Sequence, residues 1–250
     1  MTKPISLLAV LLGALLLAGC QIYIPDVATR IITGSGQVRT EERAVSGFRA
    51  VSLSGAGLVT ITQGDAESLT VEADDNLLPL IETLVQDGTL IIRVKREDWR
   101  YTLVPTRPIK FDLHVKELAA LEVSGAADVQ ANKLKSDRFN LTISGAGNIK
   151  LDQLDAQELA TTIGGAGNVE VAGSVVTQVA NLSGLGNYRA AKLNSQNAQI
   201  TVSGAGSATI RASETLHVSI SGAGSVNYYG NPVVRRTVAG VGVVKRLGDN

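Results

Sequence analysis

Residues that build most catalytic and cross-linked sites are scarce in this sequence. Its 250 positions contain one cysteine, two histidines and one tryptophan, and aromatic residues make up 4%. One cysteine excludes an internal disulfide framework and a metal site made of several thiolates. Few aromatic side chains are present for bases to stack on, and 23 basic residues balance 23 acidic ones. We therefore expect no nucleic-acid partner, no metal and no cofactor.

The first twenty residues have the layout of a secretory signal. Lys3 precedes an apolar run from Ile5 to Leu17, which is too short for a comfortable membrane-spanning helix. The run ends in Leu17-Ala-Gly-Cys20, which resembles the lipobox of bacterial lipoproteins. That resemblance implies cleavage before Cys20 and lipidation of its thiol. Because Gln21 is not the aspartate of inner-membrane retention, it also implies the outer membrane. The alternative is an ordinary cleaved signal with an incidental cysteine.

One tetrapeptide recurs from residue 54 onward and is the strongest signal for the fold. From residue 124, successive copies begin 20, 20, 19, 20, 18 and 18 residues apart. A period near 20 residues is typical of stacked repeats. The copies are Ser54-Gly-Ala-Gly57, Ser124-Gly-Ala-Ala127, Ser144-Gly-Ala-Gly147, Gly164-Gly-Ala-Gly167, Ser183-Gly-Leu-Gly186, Ser203-Gly-Ala-Gly206, Ser221-Gly-Ala-Gly224 and Ala239-Gly-Val-Gly242.

Apolar and polar positions alternate on both sides of this motif, which is the period of two of half-buried strands. A third apolar segment follows at Leu134, Leu154 and Leu193. About 20 residues would close one coil, and the next coil would stack about 4.8 Å away. We predict an all-β fold, a right-handed parallel β-helix (β-solenoid) with coils of about 20 residues. The glycines are expected to supply a bend with positive φ.

Several positions have predicted structural roles within the coils. Asn148, Asn168 and Asn187 follow the bend in successive repeats, which predicts a ladder of stacked amides. Arg236 and Arg246 occupy inward positions of the last repeat, where charge would end the stacking. The segment 76–82 is expected to form a short helix, with Asp74 and Asp75 as its caps.

These observations divide the chain into four parts. Residues 1–19 form the signal peptide and residues 20–33 a lipidated tether. Residues 34–115 form a wider, irregular β region that begins the solenoid. Residues 116–250 form the regular coils and a C-terminal cap.

The mature chain resembles the family of putative autotransporter adhesins with a head GIN domain. The residues that carry the resemblance are Val45-Ser-Gly-Phe48, Val51-Ser-Leu-Ser-Gly-Ala-Gly57, Val59-Thr-Ile-Thr-Gln-Gly-Asp65 and Val71-Glu-Ala-Asp-Asp-Asn-Leu-Leu-Pro79. The resemblance implies a β-helical domain of an exported bacterial protein. Because the repeats run almost to Asn250, we expect a surface or periplasmic lipoprotein without an autotransporter barrel.

The parallel β-helix also hosts polysaccharide-processing enzymes, which need carboxylates clustered across coils. Here the outward column after the bend mixes charges, which is typical of a solvated face. Asp152 and Asp155 have no acidic counterparts on adjacent coils, and His114 and His217 stand alone. We therefore predict no catalytic residues. The column consists of Gln130, Lys150, Glu170, Arg189 and Thr209.

Hydroxyl side chains form a second outward column, before and at the bend. They would present a flat face that could bind a glycan or an envelope protein, although polar outer faces are expected of any half-buried sheet. The candidate binding residues are Thr142, Ser144, Thr162, Thr201, Ser203, Ser219 and Ser221.

The sequence as a whole favours a non-enzymatic binding or adhesion module of the cell envelope. It would be held at the outer membrane by the lipid on Cys20. The alternatives are a polysaccharide-processing enzyme and a structural or assembly factor of the envelope.

Overall fold

The computed structural model of the chain describes residues 30–95 and 101–249. The predicted signal peptide and Cys20 lie outside these residues. The described part consists of strands and one short 3₁₀ turn, which agrees with the predicted all-β class. Arg30–Thr33, expected at the end of the tether, form the first strand.

The strands are numbered in chain order. They are β1 (Arg30–Thr33), β2 (Val38–Arg43), β3 (Ala50–Ser54), β4 (Ala56–Gln63), β5 (Ser68–Asp74), β6 (Ile81–Gln86), β7 (Thr89–Val94), β8 (Tyr101–Val104), β9 (Lys110–Val115), β10 (Ala120–Val123), β11 (Ala126–Ala131), β12 (Leu134–Ile143), β13 (Asn148–Ile163), β14 (Asn168–Leu182), β15 (Asn187–Val202), β16 (Ser207–Arg211), β17 (Thr215–Ile220), β18 (Ser225–Tyr229), β19 (Val233–Val238) and β20 (Val243–Gly248). The 3₁₀ turn is Leu78–Leu80.

Each regular coil has a front face before the glycine bend, a back face after it, and a short third segment. Front-face segments 138–143, 158–163, 177–182 and 197–202 pair in parallel, and β17 and β19 continue them. The back face is also built by parallel pairing, and β18 and β20 continue it. Its segments are 148–151, 168–171, 187–190 and 207–210. The parallel β-helix with coils of about 20 residues is therefore confirmed.

The interior of the solenoid is filled by the apolar positions that the repeat predicted. Ile143, Ile163 and Val202 are fully buried, since none exposes any of its surface. Each stacks on its counterpart in the next coil, so the core continues along the axis. The leucines of the third segment, Leu134, Leu154 and Leu193, are buried as well.

The motif glycines of the regular coils are required for close packing between coils, not for the positive φ that was predicted. From Gly125 onward they do not have positive φ; within the motif only Gly55 and Gly57 do. Instead, a Cβ on Gly145 would overlap the carbonyl oxygen of Gly125, and a Cβ on Gly165 would overlap that of Gly145. The prediction of a positive-φ bend was wrong for these coils, because the glycines are needed for close stacking.

The N-terminal layers are not stacked in chain order. β3 pairs in parallel with both β7 and β10, and β4 pairs in parallel with both β9 and β11. The coil formed by β3 and β4 thus lies between a later segment and the regular coils. Antiparallel strands complete this end: β6 on β7, β5 on β9 and β2 on β5. β1 and β8 form a separate parallel pair.

Asp74 ties two loops together at this end instead of capping a helix. Its buried carboxylate accepts hydrogen bonds from the Thr106 hydroxyl (2.6 Å) and from the amides of Thr106 and Gly36 (both 2.9 Å). These bonds, that of the Thr106 hydroxyl foremost, lower the pKa of Asp74 below its ordinary value. The helical part of 76–82 is the 3₁₀ turn Leu78–Leu80, which has no side-chain cap. The predicted short helix is therefore present only as this single turn, and its Asp74 and Asp75 caps were wrong predictions.

The last coil carries charged side chains at two of its inward positions. Arg236 pairs with Val218, and Arg246 pairs with Tyr228, so both arginines occupy inward registers. Both are exposed. Charged side chains at inward positions are a known device against edge-to-edge association.

Gly145→Val tests the close contact between coils. The added side chain must displace the backbone of the preceding coil, so we expect the free energy of unfolding to fall by about 2–3 kcal/mol. Ala146→Val is the control, because Ala146 is exposed and Leu185 and Val241 occupy the same motif position. Urea unfolding measures both. Equal stability of the two variants would contradict the stacking role.

Asp74→Asn tests the tie between the two loops. A lowered pKa in the folded protein means that the stabilisation is complete above the ordinary carboxyl pKa of about 4 and is lost as pH falls through the lowered value. We expect the variant to melt at a lower temperature than the parent at pH 7, and the difference to shrink below about pH 4. Asp87→Asn is the control, because Asp87 is exposed in a left-handed turn that asparagine accepts. A difference independent of pH would contradict this account.

Candidate binding face

The predicted hydroxyl column is continuous on the front face. Thr142 pairs with Thr162, and Thr162 pairs with Asn181, which is followed by Thr201 and Ser219. Their backbones are about 4.8 Å apart along the solenoid. All five are exposed or half-exposed. The structure therefore brings the column together, and its ability to bind a ligand stays a prediction.

The serines of the bend form a parallel row beside this column. Ser144, Ser203 and Ser221 are exposed. Their amides donate to carbonyls of the preceding coil at 2.9–3.0 Å, which fixes the backbone and leaves the hydroxyls at the surface. Where the structure describes this row, the one hydroxyl pair is that of Ser54 and Ser124, 2.8 Å apart.

The back face carries the amide ladder that the sequence predicted. The Asn187 amide donates to Asn168 (2.8 Å), Asn168 to Asn148 (2.9 Å), and Asn148 to the Asp128 carboxylate (2.8 Å). The Ser207 hydroxyl donates to Asn187 at the other end (2.5 Å). Because every amide uses a donor and an acceptor within the column, the ladder is a structural feature that joins coils.

Two members of the charged column of the back face bind the neighbouring Asp152. Lys150 lies 2.8 Å from Asp152, and Gln130 donates to Asp152 at 3.2 Å. The hydrogen bond from Lys150 is the main cause that lowers the pKa of Asp152, and the same bond raises the pKa of Lys150. A general acid needs the opposite shift of a carboxyl pKa. The Asp152 carboxylate is therefore stabilised in its ionised form.

A buried polar cluster inside the solenoid was missed by the sequence analysis. The Tyr188 hydroxyl donates to the Gln178 side chain (3.1 Å), whose amide donates to Ser195 (2.7 Å) and to the Arg211 carbonyl (2.9 Å). Burial raises the pKa of the Tyr188 phenol, offset only in part by the Thr161 hydroxyl nearby. The sequence did contain a sign of this cluster. Gln178 is a polar residue at an inward register, where the adjacent coils have Leu159 and Ala198.

The acidic residues and histidines of the described part do not gather into a metal-binding group. Within 30–95 and 101–249, no group of three or more His, Cys, Asp or Glu side chains is placed to hold a metal ion. His114 lies 3.9 Å from Asp112 on the back face, whereas His217 lies on the front face between Gln199 and Arg235. The two histidines are therefore on different faces.

A family model for the putative auto-transporter adhesin, head GIN domain, matches residues 47–232. The match covers most of the chain and includes seven of the eight copies of the repeat. The chain belongs to this family. The predicted resemblance is thus confirmed, while the family's description leaves the ligand open.

Solved structures share the fold. A putative adhesin from Bacteroides fragilis is 26% identical, with a TM-score of 0.80 over 86% of this chain and 100% of its own. A putative lipid binding protein from Parabacteroides distasonis is 25% identical, with a TM-score of 0.75 over 87% and 100%. A putative adhesin from Parabacteroides merdae is 23% identical, with a TM-score of 0.70 over 87% and 99%. The three relatives consist almost wholly of the part that matches this chain.

No curated protein matches this chain significantly. Among the described residues, no helix has the length and apolar character needed to cross a membrane.

Proposed function

We propose that this chain is a lipid-anchored, non-enzymatic protein of the bacterial cell envelope that acts as a binding or adhesion module. Its ligand would be a glycan or an envelope protein, held on the front face. The lipid on Cys20 would hold it at the outer membrane. The observation that carries the proposal is the continuous, outward column of hydroxyls from Thr142 to Ser219 on a stacked scaffold.

Rigid stacking suits such a role. Parallel pairing fixes the backbone that carries these side chains. Little further conformational entropy is therefore lost when a ligand binds, which favours binding. The names of the relatives support an envelope or surface protein, because two of the three structures above are described as adhesins. They do not supply a ligand for this chain.

The enzyme alternative has less support from the described residues. The back-face carboxylate Asp152 is held by Lys150 and Gln130, and its lowered pKa does not fit a general acid. Product release from a panel of acidic glycans would favour the enzyme instead. Crosslinking to envelope proteins would favour an assembly factor.

The front face is tested by changing Thr142, Thr162 and Thr201 together to Glu. Bulky charges would block a ligand that lies on the hydroxyl column, so we expect at least about a tenfold loss of attachment. Attachment of cells that carry the protein is measured on a panel of immobilised glycans and envelope proteins. Folding of the variant is checked by its thermal melt.

A triple change on the back face is the matched control. Thr60, Gln130 and Thr209 are outward there, and Thr60 and Gln130 lie on adjacent coils as Thr142 and Thr162 do. Changing these three to Glu adds similar charge and repulsion but should leave attachment intact. Unchanged attachment in the front-face variant, or equal loss in both, would contradict the proposed face.

Cys20→Ser tests the anchor. The parent should incorporate labelled palmitate and sediment with outer membranes, whereas the variant should lose the label and leave the membrane fraction. Gln21→Asp is the control, since it should keep the label but move the protein to the inner membrane. A parent chain without label would contradict lipidation.

A further inference from the structure

The front face changes character in its last three coils. Beside the hydroxyl column runs a second outward column, which begins with small residues such as Ala120 and Ala160. In the last coils this column becomes Gln199, His217 and Arg235, stacked directly on one another. The long side chains form a wall that the earlier, flat part of the face lacks.

This wall and the hydroxyl column border an open groove of about 400 Å³. Its opposite side is formed by Thr201, Ser219 and Thr237, which continue the column of the proposed binding face. The groove runs along the solenoid axis, across coils about 4.8 Å apart. Its shape therefore suits an extended chain with repeating polar groups.

The groove is cationic although the protein is neutral overall. No aspartate or glutamate occurs between Thr215 and Gly248, whereas Arg235, Arg236, Lys245 and Arg246 do. Arg235 is outward and exposed on the wall of the groove, whereas the neighbouring Arg236 stands at an inward register. In the part of the chain that the structure describes, Arg235 has no ion-pair partner, whereas Arg246 is paired with Asp249. The Arg235 guanidinium is thus available to an anionic group.

We propose that this groove binds an acidic glycan, with a carboxylate or sulfate group on Arg235. The sugar hydroxyls would meet the Gln199 amide and the hydroxyls of Thr201 and Ser219. Arginine suits this role because its planar fork donates two parallel hydrogen bonds to an oxyanion. The inference rests on the proposed binding function and names its ligand class.

An anionic membrane surface is the competing partner for a cationic end. Val233, Val241 and Val243 are exposed on the last coil, 61–88%, and apolar residues beside cations are typical of membrane contacts. However, a bilayer surface cannot enter a groove between two columns of side chains. The polar lining of Gln199, Thr201 and Ser219 would also stay unused there. The geometry therefore favours a polymer chain.

The test uses residues 21–250, which include every residue that the structure describes and lack the predicted signal peptide and Cys20. Binding is measured to polygalacturonate, to neutral dextran and to vesicles with 30% phosphatidylglycerol (about one anionic lipid in three). We expect polygalacturonate to bind, and Arg235→Gln to weaken that binding about tenfold or more by removing a charge-assisted bond. Dextran and vesicles should bind weakly or not at all.

Two variants separate the groove from general charge. Lys245→Gln removes a cation from the same last coil, but on the back face, and Arg189→Gln removes an arginine from the back face of an earlier coil. Both should bind polygalacturonate as the parent does. Equal weakening by Lys245→Gln and Arg235→Gln would overturn the groove in favour of diffuse electrostatics.

The remaining outcomes also decide between the proposals. Equal binding of dextran and polygalacturonate would overturn the acidic ligand while leaving a glycan-binding function in place. Vesicle binding without glycan binding would overturn the groove and assign the last coil to a membrane. Binding of none of the three would overturn this inference, and the attachment assay with the front-face variant would judge the proposed function separately.

Discussion

Close contact between backbones at the glycine bend is the constraint on which the rest of the structure depends. Each coil turns the corner directly against the carbonyl of the coil before it, as Gly145 does against Gly125 and Gly165 against Gly145. A side chain at these positions would hold two coils apart at one corner. Parallel pairing of both faces would then fail together, since both strands continue from the same bend. The third residue of the repeat can be larger than alanine, because its side chain points away from the stacked coils. Leu185 at this position is exposed.

This constraint leaves only the outward columns free to vary. The interior is filled mainly by stacked aliphatic side chains, apart from the buried cluster of Tyr188 and Gln178, and the corner requires glycine, so most differences between coils lie outside. On the back face they produce an amide ladder that consumes its own donors, as in the bond from Asn168 to Asn148. On the front face, within the described residues, the hydroxyls of Thr142, Thr162 and Thr201 form no such ladder. The two faces have the same architecture but present different outward side chains, hydroxyls on the front face and mixed charges on the back face.

The regular coils were predictable because one period determines both burial and stacking. Ile143 and Ile163 could be placed in the core, and Asn148 beneath Asn168, from spacing alone. The stacking order of the N-terminal layers could not be predicted. β3 lies between β7 and β10, and a local sequence pattern does not indicate that strands stack out of chain order. Asp74 looked like a helix cap because capping uses local sequence, whereas its partner Thr106 is distant in the chain. Within the candidate site, the hydroxyl column could be predicted from the repeat. The wall that includes His217 and Arg235 could be recognised only once the pairing register of three coils was known.

The two ends of the solenoid differ in a way that bears on where a ligand would arrive. The N-terminal end is closed by antiparallel strands and by the bonds of Asp74, and the described chain enters there through β1. The C-terminal end carries no antiparallel strand and ends in the exposed arginines of the last coil. A chain tethered ahead of residue 30 would hold its closed end toward the anchor. Its cationic groove would then lie several coils away from that end, where an extended polymer meets no obstruction from the tether.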